Sequence, residues 1–378
     1  MSALEPDGDN HAAELLLALT PGIGPRLRKS LLDHFGSAAA AVSASARELC
    51  DVPGIGRKLS ENIVQERSRV DVRAELERCR ASGVRIVAES GEGYPEVLRK
   101  IHDPPGVLFV RGEILPSDGL AVAIVGTRHA TQYGVTQGER LAAGLARAGY
   151  TIVSGLARGI DAVAHRGALK AGGRTLAVLG SGVLNIYPPE HEQLAAEVIA
   201  KGALLSENPP DSPPLPGAFP QRNRIVTGLA LGVIVVEAAD RSGALISARH
   251  AMEQGREVFA VPGRVDSRMS RGCHQLIRDG AKLVETVDDV LEELGPLATP
   301  TPLAGQSADQ PPIRHPAELQ LNEPEQAVLA AIHDEPQTID EVVVTSGLPV
   351  QNVLSTISAL EMRRLIRRLG GNRVMRNF

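Results

Sequence analysis

Two short runs hold the residues best equipped for chemistry, VGTR at 125–128 and FPQRNR at 219–224. Each places arginines where an apolar strand or a turn is expected to hand over to a helix. Backbone N–H groups at a helix start point outward and the macrodipole is positive there, so an arginine gains nothing from the dipole. A phosphate lying between helix start and guanidinium accounts for the arrangement. The chain has neither the Walker lysine motif nor a complete GxGxxG, so a nucleotide cofactor is not the indicated ligand. Nucleic-acid backbone is.

Residue by residue, Gly126 allows close backbone approach, Thr127 supplies a hydroxyl and Arg128 a guanidinium, the parts of a phosphate nest. The competing role for Arg128 is a structural ion pair with a carboxylate. SGLARGID at 154–161 repeats the arrangement, with Ser154 and Gly155 at a strand end, Arg158 in the loop and a helix from about Ile160. Asp161 suits that helix start. His165 is expected to be a packed, hydrogen-bonded histidine rather than an acid–base group. In the FPQRNR run, Arg222 and Arg224 point about 200° apart around a helix axis, so both cannot face one ligand. One is expected to meet phosphate while the other, or Asn223, holds a neighbouring loop. Phe219 fits two roles, a hydrophobic staple or a ring on which a base stacks.

An enzyme would use Glu237 as a general base and Ser242 as a nucleophile. No histidine is positioned in sequence to complete a triad, and GxSxG is absent. Ser242 and Gly243, just before a helix, are therefore read as ligand-positioning residues. Glu190 and His191 are too few for a metal site. The expectation is no catalytic residue, no metal and no cofactor.

Eight short β-branched runs position these residues: VRIVA, VLFVRG, AVAIVG, TIVSG, TLAVLG, ALLSE, GVIVVEA and EVFAVPG. Near-continuous apolar strands between helix-length stretches indicate a mostly parallel sheet covered on both faces. The expected fold over 84–294 is a Rossmann-like, doubly wound α/β core, whose ligands bind outside the carboxyl ends of the strands. Before it, PGIG recurs 32 residues apart in LTPGIGPRLRKSLL and DVPGIGRKLSENIV. That repeat predicts a tandem helix-hairpin-helix (SAM-like) domain over 1–83, with Ile23 and Ile55 plugged between paired helices. Such turns serve equally as phosphate contacts or as packing corners. Residues 295–318 read as a flexible linker. Over 319–378 the pattern is a winged helix, with helices from about Glu325 and Val350 and a β-hairpin turning at Gly370-Gly371. Val350, Val353, Leu354, Ile357 and Leu360 are expected to face inward. Arg363, Arg364, Arg367, Arg368, Arg373 and Arg376 crowd the helix end and wing, suited to phosphate or to a protein partner.

Length 378 with 43% apolar residues allows two or three domains. A net charge of −5 is weak testimony against nucleic acid, because clustered arginines set the local field. Three scattered cysteines fit a reducing cytosol and exclude structural zinc. No apolar stretch approaches a membrane span, and the polar N-terminus has no signal-like core, so a soluble, cytoplasmic protein is expected. With no Trp, four Tyr and five Phe, base stacking must rest on one or two rings.

VGTRHATQYG, SGLARGIDAVAHRGAL, LAVLGSGVLNIYPPEH, FPQRNRIVTGLA, SGALISARHAMEQGREVFAVPG and RGCHQLIRDGA, in this order, resemble the DNA processing protein A (DprA, also called Smf) family over about residues 90–294. The end modules are similar to accessory domains of that family. The resemblance implies a cytoplasmic bacterial protein that binds incoming single-stranded DNA in natural transformation and loads the RecA recombinase, without catalysis. It implies that Gly126, Thr127, Arg128, the SGLARG turn and FPQRNR line a positive pocket with Phe219 near a base, and that the chain forms a homodimer through the Rossmann-like domain. His274 stands where the family usually has asparagine, and Cys273 where threonine often precedes it. The competing class is a nucleoside monophosphate phosphoribohydrolase, in which Arg128 and Glu237 would hold a phosphate and activate water. Such an enzyme would carry PGGxGT followed by glutamate, which this chain lacks.

Overall fold

The computed structural model describes residues 6–294, 321, 323–332, 337–362, 365–369 and 373–376. The expected linker at 295–318, the turn at Gly370-Gly371, and Arg363 and Arg364 lie outside the described residues.

The chain opens with helices α1 (Pro6–Leu19), α2 (Pro25–Phe35), α3 (Ala38–Ser43), α4 (Ala46–Leu49), α5 (Arg57–Arg67) and α6 (Val72–Ala81). The two PGIG segments are the α1–α2 and α4–α5 turns. Gly22 (φ 93°) and Gly54 (φ 91°) take the left-handed conformation that a side chain resists. Ile55 is buried and Ile23 partly so, in one cluster with Leu17, Leu31, Leu49 and Ile63. Each turn therefore closes over its own apolar plug, as the repeat predicts. Arg28, buried on α2, joins these helices to the next unit by an ion pair to Glu89 at 2.6 Å.

The central unit runs β1 (Arg85–Ala88), α7 (Glu96–Arg99), β2 (Val107–Gly112), β3 (Ala121–Val125), α8 (Gln132–Arg147), β4 (Thr151–Ser154), α9 (Ile160–Lys170) and β5 (Thr175–Val178). It continues through α10 (Glu192–Lys201), β6 (Ala203–Ser206), α11 (Ala218–Gly228), β7 (Gly232–Val235), α12 (Gly243–Glu253), β8 (Glu257–Ala260), α13 (Arg271–Arg278), β9 (Lys282–Leu283) and α14 (Val287–Leu294). All eight β-branched runs are strands. They pair in the order β1-β2-β6-β5-β4-β3-β7-β8-β9, parallel from β6 to β9, with β1 and β2 antiparallel at one edge. Alternation along β3 shows why both faces are apolar. Ala121, Ala123 and Val125 enter a cluster with α11 and α12, while Val122 and Ile124 enter another with α8 and α9. From β3 the chain steps through β4, β5 and β6 to one side, then returns to place β7 on the other side. A crevice opens at the carboxyl ends of the strands where the order reverses.

The last unit comprises α15 (Glu323–Ala330), β10 (Gln337–Thr338), α16 (Ile339–Ser346), α17 (Val350–Met362), β11 (Ile366–Leu369) and β12 (Arg373–Arg376). The helices and the three-stranded sheet β10-β12-β11 make a winged helix. Its inward stripe on α17 is narrower than expected. Val353, Ile357 and Leu360 are buried, but Val350 and Leu354 are exposed. Leu354 sits about 90° around the helix from the middle of that stripe, and Val350 occupies the first, uncovered position. No single helix among the described residues is long and apolar enough to cross a membrane.

Candidate nucleic-acid interface

A cavity of about 640 Å³ occupies the crevice at the carboxyl ends of β3, β4 and β7. The β3–α8 loop contributes Gly126, Arg128 and His129, the β4–α9 turn Gly155, Ala157 and Asp161. Phe219, Arg222 and Asn223 come from the first turns of α11, Ser242 and Gly243 from the start of α12, and Tyr187 from the segment before α10. Eight of the twelve residues expected to bind DNA meet here, drawn from segments more than a hundred residues apart.

Arg128 is exposed and pairs with no carboxylate among the described residues, so the structural ion-pair role is not what it plays. Its guanidinium stands 5.5 Å from the centre of the Phe219 ring, within cation–π range. The Tyr187 ring lies 5.7 Å from Phe219, tilted by 53°. Phe219 is the second residue of α11, past the cap at Gly217. It is therefore not a staple, which would precede the cap.

Arg222 is buried and donates from Nη1 to the Val178 carbonyl, while its Nε has no partner among the described residues. Burial lowers its pKa, Asp161 opposes that shift, and Arg128 adds to it. Burial also pushes the Asp161 carboxyl up, against the pull of Arg222. The two guanidinium groups thus feel each other across the cavity, and an anion entering relieves the repulsion. At the far side, Ser242 caps α12 by accepting from the Ala244 amide, and Asn223 Nδ2 donates weakly to the Gly243 carbonyl at 3.4 Å.

Four expected residues are placed otherwise. Arg224 points away and is buried with Glu207 and Asp103, so it ties α11 to neighbouring loops and is not the phosphate-facing arginine. Ser154 is buried and its hydroxyl donates to the Ile124 carbonyl at 2.6 Å, which leaves Gly155 as the strand-end contribution. Thr127 spends its amide on the Glu237 carbonyl (2.8 Å) and its hydroxyl on the His129 amide (3.1 Å). Arg158 is half exposed and paired with Glu190, beside a small recess that adjoins Arg128 and Phe219.

The SGLARG turn is held by two histidines. Leu156 adopts φ 57°, costly for a residue with a side chain. Its carbonyl accepts from His191 Nδ1 at 2.8 Å, and its amide donates to His165 Nε2 at 3.3 Å. Thr175 spends its only hydroxyl proton on the Ile152 carbonyl, so His165 Nδ1 carries the proton that bonds Thr175 Oγ1 at 2.7 Å. Burial drives the His165 pKa down to about 3, in keeping with this neutral ring. Glu190 and His191 are thereby committed elsewhere than to a shared metal. Glu237 is likewise engaged, accepting from the Thr131 amide (2.9 Å) and hydroxyl (2.5 Å) at the α8 cap. It lines the neighbouring cavity rather than the one that holds Arg128. His274 Nε2 lies 3.0 Å from the Gly263 carbonyl and anchors that loop, while Cys273 is buried.

Sequence reasoning missed Tyr187, His129 and the prolines Pro214 and Pro216 that wall the cavity. The Pro-rich run directly before FPQRNR was the available signal.

A family model described as DNA recombination-mediator protein A matches residues 85–295, over half of the chain. The chain belongs to the DNA processing protein A (DprA/Smf) family. Two further family models match the ends, a SAM-like helix-hairpin-helix tandem at 13–69 and the DprA winged helix domain at 310–372. Protein Smf of Synechocystis sp. is 35% identical over 94% of this chain and 96% of its own length. DNA processing protein DprA of Bacillus subtilis is 46% identical over 57% of this chain and 73% of its own. The X-ray structure of DprA from Streptococcus pneumoniae superposes with a TM-score of 0.65 at 35% identity, covering 75% of this chain and 97% of that one. DprA from Helicobacter pylori, whose structure is described in terms of its single-stranded DNA binding mode, gives a TM-score of 0.51 at 32% identity, covering 56% and 97%.

Proposed function

We propose that this DprA-family protein binds single-stranded DNA at the β3–β4–β7 crevice and mediates its recombination, without catalysing a reaction on it. The observation that carries the reading is Arg128, an exposed guanidinium with no carboxylate partner among the described residues, stacked on Phe219 at the mouth of a cavity that also holds buried Arg222. A phosphate lying between the two guanidiniums would satisfy both, and a base would lie against Phe219. Gly126, Gly155, Asn223, Ser242 and Gly243 supply the rest of the lining. Backbone contacts would dominate, so sequence preference is small and binding falls steeply with salt. The family's recombination-mediator description and the Helicobacter pylori relative's binding of single strands support this.

Cytoplasmic location, RecA as the recombinase partner, a homodimer through the Rossmann-like unit and domain limits at 83/84, 294/295 and 318/319 belong to the same proposal. Its test is fluorescence anisotropy of labelled single-stranded and duplex DNA across a salt series. Arg128→Ala is expected to weaken single-strand binding by about ten-fold or more and to lower the salt slope by about one. Equal binding by variant and wild type would move the site elsewhere.

A further inference from the structure

A second cavity, of about 630 Å³, adjoins the first along the loop that carries Arg128. The beginning of that loop lines the first cavity, and its end, with the start of α8, lines the second through Thr131, Gln132 and Tyr133. Arg264 and Ser267 form the opposite wall. Glu237 and Ser270 also line it, Glu237 with its carboxylate already held by the Thr131 amide and hydroxyl.

Tyr133 marks it out. Among the described residues it is the one exposed aromatic side chain, at 44%, in a chain with only nine Phe and Tyr and no Trp. The ring is also fixed in advance, because its hydroxyl donates to the Pro262 carbonyl at 2.6 Å. An immobilised, solvent-facing ring can take a partner without further ordering cost. Arg264 is 83% exposed and paired only with Asp266, two residues along. Such a surface pair contributes little and yields readily to a phosphate. Arg268, in the following turn, is exposed and meets no carboxylate among the described residues. Tyr133 and Arg264 line the same cavity, and a ring and a guanidinium sharing one recess are the parts that hold one nucleotide of a single strand, base on the ring and phosphate on the cation.

We propose that a single strand seated in the first cavity continues across the β3–α8 loop into the second, where a base stacks on Tyr133 and Arg264 meets the adjoining phosphate. This rests on the reading of the first cavity as a single-strand site. One loop links the two linings, Gly126, Arg128 and His129 facing the first cavity and Thr131, Gln132 and Tyr133 the second. The competing occupant is a protein surface, since Val265, beside Arg264, is 89% exposed.

The chain's lack of tryptophan provides the test. Tyr133→Trp in the full-length protein introduces a single indole, which is titrated with an oligo-dT of about 20 nucleotides, longer than one such binding site. The expected result is saturable quenching of the indole emission that follows the anisotropy of the labelled strand. Anisotropy that rises while the emission stays constant overturns this inference and leaves the first cavity standing; anisotropy that never rises overturns both. An emission shift that depends on protein concentration without DNA assigns the face to a second copy and also overturns it. Tyr133→Phe, which keeps the ring, is expected to bind like wild type, and Tyr133→Ala about ten-fold more weakly. Equal losses in both would assign Tyr133 to its bond with Pro262 and refute the stacking role.

Discussion

Gly155→Ala perturbs the cavity at one atom. A Cβ at this position runs into the guanidinium of Arg222. What it meets is the end of a long side chain rather than backbone, so the fold can yield by displacing Arg222. The displacement breaks the bond from Nη1 to the Val178 carbonyl and draws the guanidinium away from Asp161. A hydrogen bond from a charged donor contributes about 1.5–3 kcal/mol net. Water reaching the opened cavity recovers part of that, and we expect about 1–2 kcal/mol lower stability, a fall in Tm of about 2–8 °C for a domain of this size. Single-strand affinity should suffer more. Losing one charge-assisted phosphate contact corresponds to about 10- to 100-fold in Kd. Gly217→Ala is the matched control: it caps α11 beside the same cavity at φ −69°, and a Cβ there meets nothing within 4 Å. Thermal unfolding and DNA anisotropy of the two variants together check the argument. A Gly155→Ala protein with a lowered Tm and wild-type affinity would refute the assignment of Arg222 to phosphate, and outright unfolding would show that Arg222 cannot move.

The two arginines of FPQRNR should separate cleanly. Arg224→Ala leaves Glu207 and Asp103 without their cation in a buried setting and is expected to cost about 3–5 kcal/mol in urea unfolding, whereas Arg128→Ala, exposed, costs about 1 kcal/mol or less. The neutral His165 makes stability depend on pH. Its folded pKa is lowered from 6.5 to about 3, so the unfolded chain binds the extra proton, and the stabilisation present above pH 6.5 is lost as pH falls towards 3. The loss amounts to about 2 kcal/mol by pH 5, and His165→Gln should flatten that part of the profile in urea titrations at pH 7 and pH 5. An unchanged slope would mean that His165 is not the group responsible.

The division of labour between Arg222 and Arg224 shows how far the sequence carries. Helical geometry alone establishes that they diverge, and the structure agrees. Which of them faces the cavity depends on Glu207 and Asp103, which come from the β6–α11 and α7–β2 connections and are unremarkable in sequence. The eight strands were legible because a sheet covered on both faces needs apolar residues at every position, as Val122 and Ala123 illustrate by entering opposite clusters. The loops after them were legible through glycine. Side-chain direction was not: Ser154 and Thr127 stand in the motifs, yet their hydroxyls close local backbone bonds. On α17, period alone assigned Val350 and Leu354 inward, although no neighbour covers that flank. Tyr133 was passed over because an isolated tyrosine has no pattern. Its exposure becomes visible only when the other rings are seen to be covered.

On the proposed function, a single strand lies between Arg128, Phe219 and Arg222. Photo-crosslinking with a 5-iodouracil-substituted single strand, followed by peptide mapping, tests it most directly. Attachment at Phe219 or the adjacent Tyr187, abolished by unlabelled single strand and by Arg128→Ala, is the predicted result. Crosslinks confined to the hairpin turns at 20–24 and 52–56 or to the wing strands at 366–369 and 373–376 would contradict it.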